Sequence, residues 1–156
     1  MAAQSVDPRV RQQLAGHPFV RGLEPRFIDA LGARGHLVEF EPREVIFREG
    51  DPADTFYLVR SGIVALQVDA GEPFPQAIQH INEGSALGWS WLFPPYEWQF
   101  DAVAQTPVRA MAFDAAALRE EFEADPFFGY HIMGKVAELM VKRLHATRHQ
   151  LIHASR

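Results

Sequence analysis

The residues richest in chemical possibility lie between Gly84 and Phe100. All three tryptophans, Trp89, Trp91 and Trp98, fall within ten residues together with Phe93 and Tyr96, and Phe100 follows closely. Aromatic rings so concentrated either fill a core or wall an apolar cavity for a flat or hydrophobic ligand, with Ser90 and Gln99 as orienting polar groups. Side chains alternate along strands, so the six rings cannot all face one side. No Lys or Arg occurs from Ser61 to Val108, while Glu83, Glu97 and Asp101 add negative charge. An anion held here would meet only backbone N–H groups and any helix N-terminus after Gly88. Arg60 and Arg109, on neighbouring strands, are the candidates to reach in and add charge-assisted pairing.

Other reactive side chains carry weaker patterns. His145, His149 and His153 recur every four residues on one helix face, a spacing that can chelate a transition metal. No carboxylate completes that set, and the three read as titratable side chains on a solvated helix end, so no metal site is expected. His80 reads as a half-buried strand residue. The sequence contains no G-x-S-x-G, H-E-x-x-H or Walker-type glycine loop. Arg119-Glu120-Glu121-Phe122-Glu123 reads as the solvated face of a helix. Cysteine is absent, which excludes disulfides, a thiol nucleophile and thiolate metal sites. The expectation is therefore a protein that is not an enzyme and carries no cofactor.

The elements that position these residues are legible from periodicity. Asp7-Pro8 caps and opens a first helix carrying Val10 and Leu14, and Gly16-His17-Pro18 breaks it. A second helix after Leu23-Glu24-Pro25 carries Phe27, Ile28 and Leu31, and Gly32 and Gly35 are expected to end it. From His36 the period is two. Short runs fit strands at Leu37–Glu41, Val45–Phe47, Thr55–Val59, Ile63–Val68, Ala77–Ile81, Phe100–Ala104 and Val108–Phe113, with a loop from Ala70 to Pro75. Asp114 caps a helix bearing Leu118 and Phe122, and Asp125-Pro126 starts a last one running to Ile152. Many short strands between helical ends predict a mainly β protein: a jelly-roll-like β-roll, or double-stranded β-helix, with N-terminal helices and a long C-terminal helix.

Length and composition bound the rest. A chain of 156 residues, 47% apolar and 22% charged, suits one domain with one core. That domain is expected to comprise N-terminal helices at 1–35, the β-roll at 36–113 and C-terminal helices at 114–156. The net charge of −5 gives no general attraction to nucleic acid or anionic lipid. No segment approaches the ~20 apolar residues of a membrane span, and Met1–Asp7 lacks a signal-peptide stretch, so a cytoplasmic location is expected. Lys142, Arg143, Arg148 and Arg156 make the C-terminal helix end mildly basic, complementing its dipole. That helix would reach about 38 Å at 1.5 Å per residue, longer than a small barrel covers. Its apolar positions Ile132, Met133, Val136, Leu139, Met140, Leu144, Thr147 and Leu151 suit either folding back on the roll or packing against a second copy, and a homodimer is expected.

The stretch from Ile46 to Gly62, with Gly50-Asp51 and Ser61-Gly62 at its turns, resembles the first signature of the cyclic nucleotide-binding domain family. Gly84-Ser85-Ala86-Leu87-Gly88 resembles the opening of that family's phosphate-binding cassette, and Ala104-Gln105-Thr106 with Val108–Asp114 resembles the strand pair before its helical tail. The resemblance covers roughly residues 20–150 and implies the same fold. In the family, a glutamate after the second cassette glycine holds the ribose hydroxyl, and an arginine about ten residues later pairs with the cyclic phosphate. Here those positions fall at Trp89 and near Trp98. The ligand site implied is a divergent cassette of Gly88, Trp89, Ser90, Trp98, Gln99 and Phe100. The resemblance implies a small-molecule sensor or regulatory module that does not bind cyclic AMP or GMP in the usual way. Its ligand would be a cyclic nucleotide or an apolar or aromatic metabolite. The alternative is a ligand-free adaptor or dimerisation module docking to a partner protein. Transcriptional members add a DNA-binding domain of roughly 70 residues after the long helix, for which Arg156 comes too early, so no DNA contact is expected.

Overall fold

The computed structural model describes residues 7–69, 71 and 73–154. Ala70 and Glu72 of the expected loop, and Arg156 of the basic end, lie outside the described residues. Helix α1 spans Pro8–Ala15 and α2 spans Pro25–Gly32. The Asp7 carboxylate accepts the Arg9 N–H and so caps α1, with proline at the first helical position as the sequence implied. Gly35 does not stop α2 but opens the first strand, where a side chain would run into the Phe113 ring.

Among the described residues seven strands follow: β1 Gly35–Phe40, β2 Val45–Phe47, β3 Thr55–Ser61, β4 Val64–Val68, β5 Gln76–Ile81, β6 Asp101–Ala104 and β7 Val108–Asp114. They form two antiparallel sheets, one ordered β1-β7-β3 and the other β2-β6-β4-β5. The chain passes between the sheets at β1–β2, β2–β3, β3–β4 and β6–β7, which is why most neighbours within a sheet are not consecutive in sequence. The β3–β4 corner turns at Gly62, where φ is +95° and a Cβ would collide with the Pro107 carbonyl oxygen. The core between the sheets is built from Phe56, Leu58, Leu66, Met111 and Phe113, all at most 1% exposed.

Two helices close the fold. Asp114 caps α3, Ala115–Ala124, by accepting the Ala117 N–H, and α4 runs from Pro126 to Ala154. α4 buries Phe128, Ile132, Val136 and Arg143. The Phe128 ring stacks on Phe27 of α2 at 5.4 Å, which joins the two helical ends of the chain. A neighbouring flank of α4 stays exposed at Tyr130, Met133, Met140, Leu144 and Leu151. No helix among the described residues is long and apolar enough to cross a membrane.

Candidate functional site

The cassette begins as an extra strand segment laid on β3. Val59 N–H donates to Ser85 O, Gly84 N–H to Val59 O and Leu87 N–H to Tyr57 O. His17 lies behind this junction, 6% exposed, with Nε2–H donating to the same Val59 carbonyl at 2.8 Å and Nδ1 accepting the Phe19 N–H. Burial lowers the His17 pKa, against the Val59 bond, which favours the protonated ring.

Beyond Gly88 the aromatic window divides into two groups. Trp91 is fully buried, stacked at 4.6 Å on Phe56 and near Phe122. Its carbonyl accepts from Arg119, whose guanidinium lies over Tyr96. Trp98 is 3% exposed and stacks on Phe47 with ring centroids 3.8 Å apart and planes at 6°. Backbone pairing fixes it there: Trp98 N–H donates to Asp51 O and Gly50 N–H to Trp98 O. Gly88 lies beneath both Trp98 and Phe100, with room for no larger residue unless those rings shift. Ser90 starts a single 3-10 turn, and Gln99 is exposed with its side-chain amide donating to Glu97 O.

Trp89 and Phe100 have a different environment. They line a cavity of about 820 Å³ between the roll and α4. Leu66 and Ile78 of β4 and β5 form its floor with Gln79, and α4 supplies Ala137, Met140, Val141, Arg143, Leu144 and Thr147. The Gln79 side-chain amide of β5 donates to the Thr147 hydroxyl of α4. Of the six residues the sequence proposed for the site, Trp89 and Phe100 border this space. Gly88 and Trp98 support it from below, and Ser90 and Gln99 lie outside its lining.

Arg143 corrects the charge-free cassette. Its sequence position suggested only a mildly basic helix end, but it is 8% exposed and lines the cavity. Nη2 donates to the Ala86 carbonyl and to Ser85 Oγ, and the guanidinium lies 5.2 Å from the Trp89 ring centroid. The β3 pairing uses the backbone of Ser85 and Leu87, which leaves the Ala86 carbonyl for Arg143. Burial lowers the Arg143 pKa to about 10, so the side chain is cationic at neutral pH. Arg60 and Arg109 do not reach in: one bonds Gln13 and the other pairs with Glu39 at the surface. The missing cation comes 58 residues later in the chain than its Ser85 partner, so the local search from Ser61 to Val108 could not find it. One signal was present: Arg143 continues the buried stripe Ile132, Val136, Leu139 at spacings of four and three.

The cyclic nucleotide-binding domain family model matches residues 37–125. A CRP-like cAMP-activated global transcriptional regulator of Mycobacterium tuberculosis is 28% identical over 138 residues, which are 88% of this chain and 60% of the relative. The chain thus spans about three fifths of that regulator's length. A crystal structure from Geobacter metallireducens GS-15, named a cyclic nucleotide-binding protein, superposes with a TM-score of 0.76 at 27% identity, covering 93% of this chain and all of that one. A cyclic nucleotide-binding domain from Methylobacillus flagellatus KT gives 0.82 at 15% identity, covering 94% and 84%. Fold, cassette position and the matched residues lead to one conclusion: this chain belongs to the cyclic nucleotide-binding domain family.

Proposed function

We propose that this chain is a regulatory module that senses a small molecule in the cavity between the β-roll and α4. It does so without the glutamate and arginine pair by which the family usually holds cyclic AMP or GMP. The observation that carries this reading is the cavity itself, walled on one side by Trp89 and Phe100 and on the other by α4. A ligand there touches roll and helix together, so its binding energy can bias the position of α4. The residues fit a cyclic nucleotide poorly. Arg143 offers a cation, but among the described lining residues no carboxylate is placed to accept a ribose hydroxyl. Buried hydroxyls without partners oppose binding.

The output of the module is a second copy of the chain. Tyr130, Met133, Ala137, Met140, Leu144, Thr147 and Leu151 follow each other at alternating spacings of three and four along the exposed side of α4. That is the a/d pattern of a coiled-coil seam. Four of these residues, Ala137, Met140, Leu144 and Thr147, also line the cavity. Occupancy and helix pairing therefore share side chains. The same seam favours the second reading, a ligand-free dimerisation or adaptor module. In either case the chain is read as one non-enzymatic regulatory domain working in the cytoplasm.

Thermal unfolding in millimolar cyclic AMP, cyclic GMP and cyclic dinucleotides, beside an apolar aromatic dye, tests the sensor reading. A ligand at a hundred times its Kd stabilises by about 2.7 kcal/mol. For a domain of this length that is a Tm rise of several degrees. The expected result is a rise with the dye and none with the nucleotides. A saturable rise with a nucleotide overturns the ligand assignment, and no rise with any compound supports the adaptor.

A further inference from the structure

Arg143 is a buried cation for which no carboxylate comes within ion-pair distance among the described residues. Its two protein acceptors, Ser85 Oγ and the Ala86 carbonyl, are neutral and both engage Nη2. The Nε and Nη1 donors have no protein acceptor among the described residues. Withdrawing a guanidinium from water without a counter-charge is costly. The compensation visible on the protein side is one neutral carbonyl, one hydroxyl and the face of Trp89.

The rest of the cavity narrows the choice. Leu66, Ile78, Phe100, Met140, Val141 and Leu144 present only apolar surface. Gln79 and Thr147, the two neutral polar side chains of the lining, are already bonded to each other. A ligand therefore finds one place for an anionic group and no place for a sugar or a second charge. Resting on the sensor reading above, we propose that the cavity takes an amphipathic organic acid, an apolar or aromatic body bearing one carboxylate, and that Arg143 anchors the carboxylate. The body lies against Trp89 and Phe100, and the carboxylate accepts from the free donors of Arg143. Charge-assisted bonds of this kind are about twice as strong as neutral ones. The Arg143 bond to Ala86 makes the anchor a link between α4 and the cassette, so the acid binds where roll and helix are already tied together.

The test uses a matched pair of fluorescent probes, anilinonaphthalene sulfonate and its uncharged parent phenylnaphthylamine, on the full chain. Naphthaleneacetic acid and its amide serve as competitors. The acid is expected to displace the charged probe at roughly tenfold lower concentration than the amide, the factor that one charge-assisted bond supplies. Arg143→Gln should abolish that preference, acid and amide being compared on the variant itself, and Arg143→Lys should keep most of it. The wild-type acid and amide comparison stands without any variant, should Arg143→Gln unfold. Equal competition by acid and amide, with the uncharged probe still bound, overturns the anchor and leaves the cavity as a sensor of neutral molecules. Failure of both probes to bind overturns the sensor reading as well.

Discussion

The guanidinium of Arg143 donates to the main-chain carbonyl of Ala86 and so fastens the long C-terminal helix to the opening of the cassette. The two residues are 57 positions apart. Their contact makes α4 a wall of the candidate site rather than a tail beyond it, and it supplies the charge that the cassette sequence lacks. Trp89, beneath the same guanidinium, then becomes the aromatic wall of a cavity, while Trp91 and Trp98 belong to the core.

This division predicts opposite phenotypes for two neighbouring tryptophans. Trp98→Ala removes a buried ring stacked on Phe47 and should cost about 3–5 kcal/mol in urea unfolding. Trp89→Ala, at a half-buried cavity wall, should cost about 1 kcal/mol and act mainly on probe binding. Equal costs would contradict the assignment.

Two glycines separate in the same way. Gly62→Ala forces a side chain into a positive-φ corner against the Pro107 carbonyl and should destabilise by at least about 2 kcal/mol. Gly134→Ala, in α4 with nothing near the added methyl, should stabilise by about 0.5–1 kcal/mol. Chemical denaturation of the two variants checks both signs.

How much of this was legible in the sequence depends on the range of the interaction. The helix openings at Asp7-Pro8 and Asp114 were readable because a cap and its helix are adjacent in sequence. The strands were readable from their period of two, and the glycine turns and cassette opening carried the family. Partition of the aromatics was not readable: Trp98 is drawn inward by pairing with Asp51 and Gly50, a contact that spacing within the window does not encode. Arg143 shows in the sequence only as part of a mildly basic helix end, because its position in a helix is clear and the surface it meets is not. Only its place on the stripe of Ile132, Val136 and Leu139 marked it as buried.

His17 gives the fold a pH dependence. Its ring is neutral in the folded state, with Nδ1 accepting the Phe19 N–H and Nε2 donating to Val59, and its folded pKa lies below the unfolded one. The unfolded chain therefore takes up a proton first as pH falls. Stability is full above the ordinary histidine value of about 6.5 and declines as pH drops from there through the lowered folded pKa. His17→Gln should flatten the stability profile below about pH 6.5 relative to wild type. An unchanged slope would show that other groups carry it.

The helix seam is tested away from the cavity. Tyr130 is 74% exposed and lies outside the cavity lining, so Tyr130→Arg should weaken self-association by at least about tenfold without lowering Tm. Sedimentation velocity across a concentration series checks this. A monomeric wild type at all concentrations would remove the second copy from the account.

The measurement that bears most directly on the cavity is a two-dimensional NMR titration following the three tryptophan indole N–H signals as naphthaleneacetic acid is added. The account predicts a large, saturable shift of the Trp89 signal, with those of Trp91 and Trp98 nearly stationary because their rings are locked in the core. Shifts confined to Trp98, or no shift at any of the three, would contradict a ligand cavity between the β-roll and α4.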